Sequence, residues 1–128
     1  MKKTPEDLLK DWMQLVNSGD VERLVAMYDK SALLIPTFSN RLLNKPEGIR
    51  EYFERLCSRD DLSIALHEKT LVAQHLRGEV HALGGIYCWR FAIDGELFTF
   101  EARFSVLLDL ALPAPILHQH SSQIPRML

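Results

Sequence analysis

The chain has 128 residues, 47% hydrophobic and 25% charged, with 15 Lys and Arg against 17 Asp and Glu and a formal charge of −2 at pH 7. That size fits one domain over 1–128 with a single core, and the balance excludes disordered, collagen-like and coiled-coil chains. No run of Lys and Arg rises above scattered surface charge, so nucleic acid is not an expected partner.

Thr4-Pro5-Glu6-Asp7 reads as an N-cap, a first-turn proline and an acid at the third position, opening a helix with Leu8, Leu9, Trp12, Leu15 and Val16 on one stripe. "NSGD" ends it, and Asp20 caps a second helix whose Val21, Leu24, Val25 and Tyr28 recur at three and four residues. "ALLIP" is a short buried strand stopped by Pro36. "NKPEGIREYFERLC" is a third amphipathic helix with Ile49, Tyr52, Phe53, Leu56 and Cys57 at helical spacing.

Beyond Asp61 the period changes to that of strands. "LSIALHEKTLVAQ", "EVHALGGIYCWRFAI" and "ELFTFEARFSVLLDL" are β-branched and aromatic runs, and Asp94-Gly95 between the last two is a two-residue hairpin signal. "ALPAP" turns the chain once more into a last strand over 116–124. The order predicts an α+β fold in which three N-terminal helices cover one face of a curved, mostly antiparallel sheet. The space between the two layers is a natural place for a pocket.

"MKKTPEDLLKDW" turns acidic without the apolar stretch of a secretory signal, and no segment is long and apolar enough to span a bilayer. A cytoplasmic protein with no membrane partner is therefore expected. Cys57 and Cys88 show no CxxC or metal-ligand spacing and read as reduced core residues.

Strand parity sorts the remaining polar side chains. In "ELFTFEARFSVLL" one face carries Phe98, Phe100, Ala102, Phe104 and Val106, and the other Thr99, Glu101, Arg103 and Ser105. In the tail, Ile116, His118, His120, Ser122 and Ile124 share a face that is apolar at both ends and polar between, the pattern of a strand running from core through a hydrated cavity.

"NSGDVERLVAMYDKSALLIPTFS", "GIREYFE", "GGIYCWRF", "FEARFSVLL" and "HQHSS-x-IP" together resemble the nuclear-transport-factor-2-like superfamily over nearly the whole chain. Within it they are most similar to small bacterial proteins grouped with the association (hub) domain of calcium/calmodulin-dependent protein kinase II and with SnoaL-like polyketide cyclases. The resemblance implies a cone-shaped fold, homodimers or larger rings formed through the outer sheet face, and an inner pocket with a buried arginine. In the kinase hub that pocket takes small carboxylates; in other members it carries isomerase, cyclase or dehydratase chemistry. Arg103 matches the pocket arginine, and His118 and His120 match the strand-end histidines.

The residues leave several roles open. Arg103 either forms an exposed ion pair with Glu101, or lies inside, where its fork of donors suits a carboxylate. His118 and His120 can be acid/base groups, structural hydrogen-bonders, or metal ligands, although no third ligand is visible and neither metal nor cofactor is expected. Ser122, Tyr28, Tyr87 and Trp12 are candidate pocket contacts, the aromatics equally at home in the core. With Arg103 inside, parity turns the Phe98/Phe100/Phe104 row outward, to be covered by a second copy of the chain. The leading expectation is an oligomerising domain that binds a small anionic or carbonyl-bearing molecule. The alternatives are an acid/base enzyme using His118 and His120, and an assembly module alone.

Overall fold

The computed structural model describes residues 3–125, which form three helices and one sheet of six strands. Helix α1 (Pro5–Ser18) starts where the sequence places it. Thr4 Oγ1 accepts from the Asp7 N–H at 3.1 Å and Asp7 returns the bond to Thr4 N at 3.0 Å. Asp7 titrates below the usual carboxylate range because of those Thr4 hydrogen bonds. Gly19 ends the helix in the left-handed region at φ 69°, a conformation other residues adopt only with strain, and Asp20 N–H bonds back to Leu15 O. Leu9, Trp12, Met13 and Val16 face the sheet.

Helix α2 (Val21–Ala26) stops two residues before Tyr28, which opens strand β1 (Tyr28–Ile35) rather than closing the helix. Helix α3 (Pro46–Cys57) buries Ile49, Phe53 and Leu56. A forked contact from Arg50 to both carboxylate oxygens of Glu22, at 2.6 and 3.0 Å, ties it to α2.

The stretch read as one strand over 62–74 is two. Strand β2 (Ser63–Leu66) and strand β3 (Val72–Arg77) flank a single helical turn at Glu68–Thr70. Both pair antiparallel with the long strand β4 (Val80–Ile93), β3 along its first half and β2 along its second. The break is held by Thr70, whose hydroxyl donates to His67 O at 2.7 Å and accepts from Ile86 N–H at 2.9 Å.

Strand β5 (Glu96–Asp109) pairs with β4 residue for residue from Ile93↔Glu96 to Val80↔Asp109. Asp94 and Gly95 both have positive φ, 51° and 80°, as a tight primed hairpin turn requires. Strand β6 (Ile116–Gln123) lies between β5, antiparallel, and β1, parallel, giving the order β1-β6-β5-β4-β2. The sheet is thus mixed and mostly antiparallel, with the helices packed on one face, an α+β fold.

The core between the layers is aromatic. Tyr87 stacks on Phe104 at 4.5 Å between ring centres and on Trp12 at 5.9 Å, and Trp89 meets Trp12 edge-on. Gly85 makes room for this stack, since a Cβ there would come within 3.2 Å of the Phe104 ring.

This core reverses one expectation. Ala102, Phe104 and Val106 point inward and are buried, and Arg103 is exposed on the open outer face. The dry row of a strand covered on one side belongs against the helices, and a guanidinium left in water needs no buried partner. Phe104 therefore requires no second subunit to cover it, whereas Phe98, near the hairpin, is 37% exposed.

The two side chains separate experimentally. Phe104→Ala is expected to cost about 3–5 kcal/mol, the range for removing a buried ring, while Arg103→Ala stays within about 0.5 kcal/mol of wild type. Urea denaturation of both variants checks this, and the reverse ranking would place the polar row of β5 inside.

Candidate functional site

The seven residues singled out in the sequence divide between the two faces of the sheet. Arg103, His118, His120 and Ser122 lie on the outer face. Arg103 sits opposite Ser122, His120 opposite Ser105 and His118 opposite Leu107. His120 Nε2 and Ser122 Oγ are 2.8 Å apart. Arg103 has no ion pair among the described residues; Glu101 instead lies 3.7 Å from His67. On β6 the residue that turns inward is Ser121, not Ser122, because Gln119 and Ser121 hold the buried parity.

Trp12, Tyr28 and Tyr87 do converge, on the inner face. Trp12 Nε1 donates to Tyr28 Oη at 3.0 Å, and Tyr28 in turn donates to Gln119 Oε1. Burial drives the Tyr28 phenol far above its ordinary pKa, and burial also raises Tyr52. Tyr87 is pushed up to about 12 by burial, with Ser121, Gln119 and Thr37 pulling the other way. None of those three side chains reaches hydrogen-bonding geometry, so the Tyr87 hydroxyl and the Trp89 indole N–H have no partner among the described residues. Leaving a buried donor unmatched costs about 1–3 kcal/mol. Both groups line a small hollow of about 10 Å³ together with Thr37, Gln119 and Ser121. Thr37 and Ser121 join their hydroxyls across it.

A much larger cavity, about 450 Å³, opens at the end of the sandwich where the β4–β5 hairpin extends past α3. Its wall is Phe38, Tyr52, Phe91 and Phe100, and its polar groups are Arg41, Arg55, Arg59 and Glu51. Glu51, Arg55 and Arg59 recur every four residues along α3 and just past its end, which stacks them on one stripe. The chain after α3 is tied to β4 by Ala92 N–H to Asp60 O at 2.8 Å, and Arg59 rests its guanidinium over the Phe91 ring at 5.5 Å. Arg41 comes from the strap between β1 and α3, which folds back through paired backbone bonds between Leu34 and Leu43. The opening thus gathers three arginines and one carboxylate beside an aromatic wall. Tyr52 lines both hollows, so the mouth stands directly above the inner cluster.

None of Arg41, Arg55 or Arg59 was singled out from the sequence, although the spacing of "EYFERLCSR" carries the signal. Among the described residues no three His, Cys, Asp or Glu side chains gather as metal ligands, and no helix is long and apolar enough to cross a membrane.

The layered arrangement has counterparts among solved structures. A Xanthomonas campestris protein described as a calcium/calmodulin-dependent protein kinase II association domain superposes with a TM-score of 0.84, covering 99% of this chain and 97% of that one at 20% identity. This chain has the NTF2-like, cystatin-like fold. A Novosphingobium aromaticivorans NTF2-like protein with a cystatin-like fold matches at TM-score 0.75 and 11% identity, over 94% of this chain and 79% of that one. SalBIII, an epoxide hydrolase/cyclase-like enzyme of pyran ring formation in the polyether salinomycin, matches at 0.74 and 15%, over 93% and 89%. No family model matches the sequence and no curated protein does. The NTF2-like fold thus houses both an association domain and a ring-forming enzyme, and function has to be argued from the site.

The tyrosines give the inner cluster a pH signature. The chain has three, Tyr28, Tyr52 and Tyr87, and burial raises all of them above the ordinary 10.0. The fold favours the neutral phenol, so this contribution to stability is complete below pH 10 and is lost as the pH climbs from there through about 12, the Tyr87 value. Tyrosinate absorbance is expected to rise together with loss of near-ultraviolet circular dichroism. A tyrosinate step near pH 10 with the dichroism unchanged would put a phenol in water.

Proposed function

We propose that the chain is a binding domain for a small carboxylate with a flat apolar body, held at the mouth between α3 and the β4–β5 hairpin. The observation that carries this is the cavity of about 450 Å³ in which Arg41, Arg55 and Arg59 oppose the single carboxylate of Glu51 over four aromatic rings. The ligand class is the one the sequence suggested, but the cations are supplied by α3 and the strap, not by Arg103. Proton transfer by His118 or His120 gains no support from this arrangement, since both lie across the sheet from the cavity.

A ligand at a hundred times its Kd stabilises the folded state by about 2.7 kcal/mol, enough to move Tm by several degrees. A thermal-shift screen of aromatic carboxylates is expected to give such shifts in wild type and in Arg103→Ala. The shifts shrink in Arg55→Ala and Arg59→Ala and vanish in the double variant. Equal shifts in all five proteins, or no shift with any carboxylate, would remove the mouth from the account.

Self-association is the second part of the proposal. Leu33, Ile35, Ile86 and Leu107 present half-buried apolar side chains on the outer face, around Arg103, His118 and His120. An open sheet face of this mixed kind suits a second copy of itself packed back to back. The structural likeness to an association domain supports the same reading. Sedimentation analysis is expected to show a dimer that Ile86→Asp converts to a folded monomer. A wild-type chain that stays monomeric at high concentration would end this part of the proposal and leave the mouth site standing.

A further inference from the structure

Tyr52 lines both the inner hollow and the mouth, and one mouth residue that no regular element holds packs on Trp89, a wall residue of the inner hollow. Phe38 lies in the strap between β1 and α3, and its ring meets Trp89, Phe91 and Phe100 edge-on, at 5.6, 5.2 and 5.4 Å between centres. The backbone at Phe38 is fastened by one long bond, its N–H to Tyr52 Oη at 3.4 Å. Below it stand the two donors without partners, Tyr87 Oη–H and Trp89 Nε1–H, fully enclosed and lining the same hollow.

We propose that Phe38 is a movable stopper, and that when it swings aside the mouth and the inner hollow become one site for a carboxylate carrying an acceptor oxygen at its far end. The carboxylate stays on the arginines of the mouth, and the far oxygen, a carbonyl for example, accepts from Trp89 Nε1–H and Tyr87 Oη–H. A neutral acceptor fits because the two groups offer donors in an enclosed space with no counter-charge, whereas a second anion there would be stripped of water. The stopper explains why a fold with so closed an interior keeps two hydrogen-bonding groups in it unmatched. This inference rests on the mouth reading above and names what the ligand carries beyond its carboxylate.

The test compares para-acetylbenzoate with para-isopropylbenzoate, which has nearly the same shape and lacks the acceptor. Calorimetry is expected to show wild type preferring the acetyl compound by roughly five-fold for each of the two hydrogen bonds it makes. Phe38→Ala strengthens binding of the acetyl compound, because no ring has to be displaced. Trp89→Phe and Tyr87→Phe each lower the ratio of the two affinities, whatever they do to either affinity alone. Arg59→Ala weakens both compounds alike. A readout in the unaltered protein guards against misfolded variants: of the two indole N–H resonances, that of Trp89 shifts on adding the acetyl compound and that of Trp12, already bonded to Tyr28, stays in place.

Equal binding of the two compounds in wild type, with the Trp89 resonance unmoved, overturns the inference while the mouth site survives. Failure of both compounds to bind overturns both readings.

Discussion

The register of one hairpin decides nearly everything about this molecule. Asp94 and Gly95 close β4 onto β5 with no residue to spare, and every one of the following pairs, from Ile93↔Glu96 to Val80↔Asp109, inherits that alignment. In a strand a slip of one residue exchanges the two faces. The turn therefore fixes in one stroke that Tyr87, Trp89 and Phe91 share the covered face with Phe104, and that Arg103 shares the open face with Ile86. Strand β6 then docks against β5 with Gln119 and Ser121 inward, so the only polar side chains the tail sends into the core lie beside the ring stack.

That alignment also explains why the interior is closed. The inner face carries large rings at positions 87, 89, 91, 100 and 104, and Trp12 of α1 fills the remaining gap by stacking on Tyr87. Rings this size packed edge-to-face and face-to-face leave room for only small hollows, such as the two of about 10 Å³ that Trp12 and Gln119 both line. Open volume is left where the layers stop overlapping: at the hairpin end, where the strap residue Phe38 lines the opening, and between α1, α2 and the turn before β6. Closed centre and open mouth are consequences of the same side-chain sizes.

Much of this was legible in the sequence because it rests on local signals. The capping box at Thr4–Asp7, the left-handed Gly19, the proline that starts α3 and the Asp94-Gly95 turn all act within a few residues of themselves. What the sequence hid depends on distant partners. The break between β2 and β3 has no glycine or proline to announce it; it exists because Thr70 bonds both to His67 and, across the sheet, to Ile86. The facing of β5 was readable as a dry row and a polar row, but a family likeness drew Arg103 inward against that pattern. Arg103 stands exposed, though without the Glu101 ion pair that the plainer reading gave it, since a core already full of aromatic rings has no place for a guanidinium that cannot shed its charge.

The arginines of the mouth show what such a likeness can and cannot carry. The fold is shared with proteins at 20% identity or less, and over such a gap a shared scaffold carries no residue's role with it. Helix α3 supplies one of the three cations at the opening, Arg55. Its C-terminal end carries the negative pole of the backbone dipole, which favours Arg55 there on grounds of stability alone. The dipole does not account for Arg59, beyond the helix and laid over Phe91, nor for Arg41, brought to the same opening by a strap with no dipole of its own. Three cations gathered from a helix, the turn after it and an irregular strap share no local cause. What they share is the cavity they surround.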